Sequence, residues 1–149
     1  MTAIIRPAIR QDADVIGPKL RDMDRLEVLL TLGPDGPEAV RRCIEQSTHC
    51  FAVHSGSPKE PFAVYGVAPY LPGIGTVWLL GTDEFDEHRR ELMALTERTL
   101  RAFQQEYPTL IVEVAEINTK SIAYLKHFGF VPFPVMDNPY SPFIHLVRT

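Results

Sequence analysis

Between Thr76 and Ala115 the chain changes its hydrophobic period twice. Thr76-Val77-Trp78-Leu79-Leu80 is a continuous apolar run and reads as a strand buried on both faces, ended by Gly81. Residues 84–106 then carry Leu92, Leu95, Thr99 and Phe103 at i, i+3, i+7 and i+11, on one face of the longest amphipathic helix. Pro108 stops that helix, and Leu110 to Ala115 is a second apolar strand. Strands alternate with helices only in this second half, so the chain reads as a mixed sheet with helices on both faces.

The first half supplies the rest of the sheet. Residues 3–10 alternate as a short strand, and 12–31 follow a helical period through Val15, Ile16, Leu20, Met23, Leu26, Leu29 and Leu30. Gly17-Pro18 interrupts that period and predicts a kink or restart. After the turn Gly33-Pro34-Asp35-Gly36, Pro37 suits the first position of a second helix over 37–47. His49–His54 and Phe62–Ala68 form a hairpin across Ser55-Gly56-Ser57-Pro58. Pro69, Pro72 and Gly73 then make a loop. Near the C-terminus Asn118 caps a short helix over 119–128, Gly129 takes the left-handed position past its end, and Val131–Pro134 and Phe143–Val147 are the last strands. The order is β-α-α-β-β-β-α-β-α-β-β.

Composition places this order in a single globular domain over 1–149. Hydrophobic residues make up 45% and charged residues 23%, which excludes a disordered or collagenous chain. The net charge of −4 disfavours electrostatic binding to nucleic acid or an anionic membrane. Nothing approaches the ~18 consecutive apolar residues of a membrane span. The opening MTAIIRPAIRQDADVI lacks the pattern of a signal peptide, and two cysteines are too few for a disulfide scaffold, so a reduced, cytosolic chain is expected. Thirteen prolines, several of them late, predict a stiff and irregular C-terminal region.

Asn118-Thr-Lys-Ser-Ile-Ala-Tyr-Leu-Lys-His-Phe-Gly129-Phe130, with its asparagine after the fifth strand and Gly-Phe eleven residues on, resembles the GNAT superfamily of N-acetyltransferases, as does the opening IRPAIRQDADVI. Within that superfamily, LRDMDRLEVL, YGVAPY, VWLLGTDEF and SIAYLKHFGF resemble the internal-virion-protein-like branch of short-tailed bacteriophages. The resemblance implies the acyl-CoA N-acyltransferase fold, acetyl-CoA as cofactor and a small-molecule or protein amine as acceptor. The phage branch implies other phage proteins as partners and a place in the host cytoplasm or the virion.

The same resemblance assigns the site. Leu79, Leu80 and Gly81 would offer backbone hydrogen bonds to the pantetheine, the start of the long helix would hold the pyrophosphate with Arg89 and Arg90 as phosphate contacts, and Asn118 would fix cofactor or cap geometry. The usual signature there is Arg/Gln-x-x-Gly-x-Gly/Ala. Here Gly81-Thr-Asp-Glu-Phe-Asp-Glu-His-Arg-Arg90 has one glycine, and residues 83–91 hold five acids against two arginines. Two like charges ~7 Å apart repel by roughly 2 kcal/mol at an effective dielectric of 20, which opposes a polyanion. The acids also read as ordinary first-turn residues that complement the helix dipole, with Asp86–Arg90 and Glu97–Arg101 as i,i+4 pairs.

Many members place a general acid, a tyrosine, four residues before the final glycine, and that position is Leu125. Tyr124 is its neighbour, ~100° round the helix, and replaces it only with the helix rotated. Otherwise Tyr124 is an amphipathic core-edge residue with its hydroxyl on water or backbone. Glu113, opposite in parity to Leu110, Val112 and Val114, is either the base that deprotonates the amine or an edge charge. Glu116, His49 and His54 are the other candidate bases. His49-Cys50-x-x-x-His54 carries metal-binding atom types, but neighbouring strand residues face opposite ways and no further cluster supports it, so no metal is expected. Trp78 reads as core, and Tyr65, Tyr70 and Tyr140 could line a partner surface. A catalytically silent fold serving phage assembly therefore stands beside the enzyme.

Overall fold

A computed structural model describes residues 2–149. The elements are β1 (Ile4–Pro7), α1 (Asp12–Ile16), α2 (Asp22–Thr31), α3 (Gly36–Gln46), β2 (His49–His54), β3 (Ala63–Leu71), β4 (Ile74–Gly81), α4 (Glu84–Glu87), α5 (Arg89–Gln104), β5 (Thr109–Ala115), α6 (Thr119–His127), β6 (Val131–Pro132) and β7 (Phe143–Arg148). Hydrogen bonding orders the strands β1-β2-β3-β4-β5-β7-β6. The chain groups into two compact units. One holds the residues up to Ala68 with Trp78–Leu95, the other Pro69–Val77 with Thr96–Thr149; β3, β4 and α5 run through both.

In the first unit β1, β2 and β3 are antiparallel, with Ile5 opposite Val53 and Phe51 opposite Tyr65. The opening motif folds on Asp12. This carboxylate, 3% exposed, accepts from Arg6 at 2.9 and 2.7 Å and from the Ile9 N–H at 2.8 Å, tying β1 to the start of α1. The predicted first helix is broken where Gly17-Pro18 falls: α1 gives way to a 3-10 turn over Gly17–Lys19, and α2 restarts at Asp22. Tertiary packing adds a reason for this glycine, since a Cβ on Gly17 would lie 2.4 Å from the Pro37 backbone. Asp35 caps α3 by accepting from the Glu38 N–H at 3.0 Å, with Pro37 in its first turn. Ala13, Ile16, Leu20, Val28, Ala39, Val40, Val64 and Leu80 form one buried cluster; Val53, Phe62, Ala63, Phe85 and Leu92 form another.

In the second unit β5 pairs in parallel with the first part of β4 from Ile74↔Thr109 to Thr76↔Ile111, and antiparallel with β7 from Leu110↔Arg148 to Ala115↔Phe143. Asn118 caps α6 by accepting from the Ser121 N–H at 3.3 Å. Gly129 has φ +86°, and the bonds Phe130 N–H to Leu125 C=O and Gly129 N–H to Lys126 C=O, both 3.1 Å, make a Schellman motif.

Four expectations are corrected. β3 extends through Pro69 to Leu71, so the loop shrinks to Pro72-Gly73. β4 is not buried on both faces, because Leu79 is 38% exposed and Trp78, half-buried, spends its indole N–H on Ser47 Oγ at 2.7 Å. The long helix starts with the separate turn α4 and breaks at His88. Val131–Pro134 supplies only a two-residue strand, and a 3-10 turn follows at Pro134–Met136, where prolines remove ladder donors.

Candidate functional site

The end of β4 is the best-defined polar constellation in the first unit. The Thr82 N–H donates to the Phe62 carbonyl at 2.8 Å. Successive strand residues turn their backbone groups to opposite edges, so Gly81 faces the other edge. There the Arg21 N–H donates to Gly81 O at 2.9 Å, and the Gly81 N–H donates to Asp24 Oδ2 at 2.9 Å. Leu20 pairs with Thr82 as an antiparallel bridge. The segment 20–24 therefore fills the β4 edge at Gly81.

Side chains reinforce this arrangement. Arg21 Nε and Nη2 donate to Asp24 Oδ2 at 3.0 and 2.8 Å. The Arg21 guanidinium lies 4.5 Å from the centre of the Phe85 ring and 3.7 Å from Asp86 Oδ1. Asp24 is buried, and burial raises its carboxyl above its ordinary value against the opposing pull of Arg21 and the Gly81 N–H. Arg89 pairs with Asp86 at 2.5 Å, which replaces the anticipated Asp86–Arg90 pair: at this break in the helix the i,i+3 partner is the one within reach. The other anticipated pair, Glu97–Arg101, forms at 2.8 Å.

Arg90 lies in a cavity of about 700 Å³ lined with Ser55, Glu84, Glu87, His88 and Glu91. Two of its three acids are engaged within the protein. Glu84 accepts from Ser55 Oγ at 2.8 Å and Glu91 from the Ala3 N–H at 2.7 Å, while His88 stacks on Phe62 at 4.7 Å.

These facts test the residues assigned to acetyl-CoA. The Gly81 N–H is taken by Asp24 and the Thr82 N–H by Phe62; the N–H groups of Phe85, Asp86 and His88 close turns onto Thr82, Asp83 and Phe85. Leu80 turns its side chain into the core. Arg89 is neutralised by Asp86, and Arg90 sits among carboxylates. In this arrangement those N–H groups and Arg89 are already engaged within the protein.

The second unit holds the proposed catalytic residues. The Tyr124 hydroxyl is hydrogen-bonded to Thr96 Oγ1, and its ring packs on Phe128 at 5.0 Å. Glu113 lies across the β5–β7 register from His145, whose Nε2 is 3.3 Å from Glu113 Oε2 and whose Nδ1 is 3.0 Å from Asp137 Oδ1. Asn118 acts as the helix cap, and Glu116 lies exposed just beyond β5. Arg148 grips Glu97 with two bonds of 3.0 and 2.6 Å and also donates to Phe128 O at 2.6 Å. Together with Arg101, Arg148 holds the Glu97 carboxyl down at about 2.

His54 is buried with Nδ1 3.1 Å from Gly56 O, while His49 is exposed. Burial pushes the Cys43 thiol up to about 11 and the Cys50 thiol to about 12. Among the described residues no group of three or more His, Cys, Asp or Glu could hold a metal ion, and no helix is long and apolar enough to cross a membrane.

Sequence reasoning missed Arg21 and Asp24 as site residues. Both stand in the LRDMDRLEVL motif, and their i,i+3 spacing at a helix start was visible, but their partner Gly81 is 57 residues from Asp24.

No sequence-family model matches the chain, and no curated protein sequence matches it. Solved structures do match. An acetyltransferase from Agrobacterium tumefaciens aligns with TM-score 0.69 at 17% identity over 99% of this chain and 90% of its own. A GNAT-family acetyltransferase from Bacillus anthracis aligns with TM-score 0.65 at 13% identity over 97% and 92%. A mutant spermidine N-acetyltransferase from Vibrio cholerae aligns with TM-score 0.67 at 12% identity over 97% and 94%. The chain therefore has the GNAT acetyltransferase fold, as the Asn118–Phe130 motif implied.

Proposed function

We propose that this chain is an N-acyltransferase that takes its acyl group from acetyl-CoA and passes it to a small-molecule or protein amine. The observation that carries this reading is the alignment of nearly the whole chain with acetyltransferases, the spermidine enzyme among them. Binding of acetyl-CoA to the unaltered protein, measured by calorimetry at physiological salt and followed by acetyl transfer to a panel of amines, tests it. Micromolar binding with transfer supports the reading, and absence of both refutes it.

A second reading has its own observation. The loop after Gly81 has no glycine, Glu84 and Asp86 are engaged internally, and the Gly81 N–H is taken by Asp24. These features support a fold with a degenerate pyrophosphate loop that works through protein contacts. Its phage origin and virion partners rest on the four sequence motifs. Retention of the protein in purified phage particles, without acetyl-CoA binding, is the outcome that favours this reading.

A further inference from the structure

We propose that Asp137, His145 and Glu113 form a receptor for a primary amine, in which His145 Nε2 takes the amine proton and Glu113 anchors the amine. Glu113 and His145 face each other in the β5–β7 register. The His145 backbone points the other way: its N–H donates to Asp137 Oδ1 at 2.8 Å and its C=O accepts from the Phe133 N–H at 2.9 Å. Glu113 and His145 are therefore a non-hydrogen-bonded pair across β5 and β7, the kind whose side chains lie closest. Asp137 is fixed by the 3-10 turn before it, where its own N–H donates to Pro134 O at 2.9 Å.

A carboxylate can only accept, so Nδ1, 3.0 Å from Asp137 Oδ1, carries the imidazole proton and Nε2 keeps its lone pair. Nε2 lies 3.3 Å from Glu113 Oε2, and no hydrogen bond joins them. Glu113 is 45% exposed and free to swing into line, and a proton on Nε2 would draw it into a charge-assisted bond of about 2.7–2.9 Å. The unaligned contact is that of two acceptors facing one another with no donor between them. Among the described residues neither carboxylate pairs with a lysine or arginine, so the group carries two negative charges. What completes it is a cation with two N–H donors to give. A primary ammonium gives one to Nε2 and one to Glu113; a quaternary ammonium has none.

This proposal rests on the acyltransferase reading for its reaction, but not for amine binding. The ammonium passes one proton to Nε2, where Asp137 and Glu113 flank the imidazolium that forms. The amine lone pair then makes the N–C bond to the acyl carbon, the C–S bond breaks, and the sulfur leaves with its electron pair and takes the second amine proton. Asp137 is a positioning residue that keeps Nε2 bare.

The test reads the His145 ring nitrogens by NMR in the unaltered protein as n-butylamine, a lysine peptide with blocked termini, or tetramethylammonium chloride is added. An N–H at Nδ1 and a bare Nε2 are expected, with Nε2 moved by an amine and not by tetramethylammonium. The tighter of the two amines shows whether a free amine or a protein lysine is the ligand. Glu113→Gln should bind that amine about tenfold more weakly, and Asp137→Ala should populate both imidazole tautomers. Where acetyl transfer is detected, His145→Gln should lower kcat by about a hundredfold or more with KM little changed, whereas Glu113→Gln should raise KM. A proton on Nε2 in the free protein, or an Nε2 that neither amine moves, overturns the proposal; so does transfer at the parent rate by His145→Gln. Should Asp137→Ala fail to fold, the unaltered protein and Glu113→Gln still decide. Amine binding at Nε2 without binding of acetyl-CoA leaves the amine site standing and removes the acyltransferase reading.

Discussion

Gly129→Ala isolates a backbone cost with almost no steric one. Gly129 has φ +86°, in the region that a Cβ disfavours by about 1–2 kcal/mol. A Cβ built there meets nothing closer than Arg148 Nη1 at 4.0 Å, so no clash adds to the penalty. Alanine also stiffens the unfolded chain, which returns about 0.4–1 kcal/mol. The net loss from the backbone alone is therefore about 1 kcal/mol. It grows if the turn opens, because the Schellman bonds deliver Phe130, 1% exposed, into the core. Urea denaturation followed by circular dichroism reads this as a lower midpoint at an unchanged slope, and a thermal scan as a fall of about 2–4 °C for a chain of this size. Gly129→Asn should recover part of the loss, since asparagine tolerates the left-handed region. An alanine variant as stable as the parent, or an asparagine variant less stable than the alanine one, would refute this reasoning.

At the other end of the same helix, Asn118→Ala removes the cap on the Ser121 N–H and should cost about 1 kcal/mol by denaturation, with Asn118→Ser or Asp close to neutral. Glu97 is held at about 2 by Arg148 and Arg101, below its ordinary value; its contribution is present above the ordinary carboxylate range and is lost as pH falls from about 4.5 towards 2. Glu97→Gln should therefore flatten the acid limb of a stability-against-pH curve, and an unchanged limb would count against the Arg148 grip. The Cys43 and Cys50 thiols, raised to about 11 and 12 by burial, should react with a thiol reagent at pH 8 far more slowly in the folded protein than in urea.

What could be read before folding was local. Asn118 and Gly129 act within three to five residues of themselves, and both were placed correctly because a helix end leaves backbone groups that only neighbouring residues can satisfy; Asp35, read only as a turn residue, proves to cap α3, which begins at Gly36, one residue before Pro37. Strand positions followed from apolar runs, although their lengths did not: β3 passes through Pro69, and β4 leaves Leu79 half in solvent, because burial depends on what packs outside the sheet. The cofactor loop was legible only as a lack of glycine and an excess of acid. Whether those acids faced a ligand or one another was undetermined, because charge in sequence has no direction.

The sequence by itself determined the general order of elements, both ends of the last helix and the acidic character of the segment after Gly81. Only the tertiary structure decided that Asp24 reaches Gly81, that Arg148 reaches Glu97 and Phe128, and that Glu113 faces His145. Each joins residues more than 15 positions apart, and such pairs are selected by the packing of whole elements. The distances that make a carboxylate a cap, a clamp or a base appear only once the strands are in register.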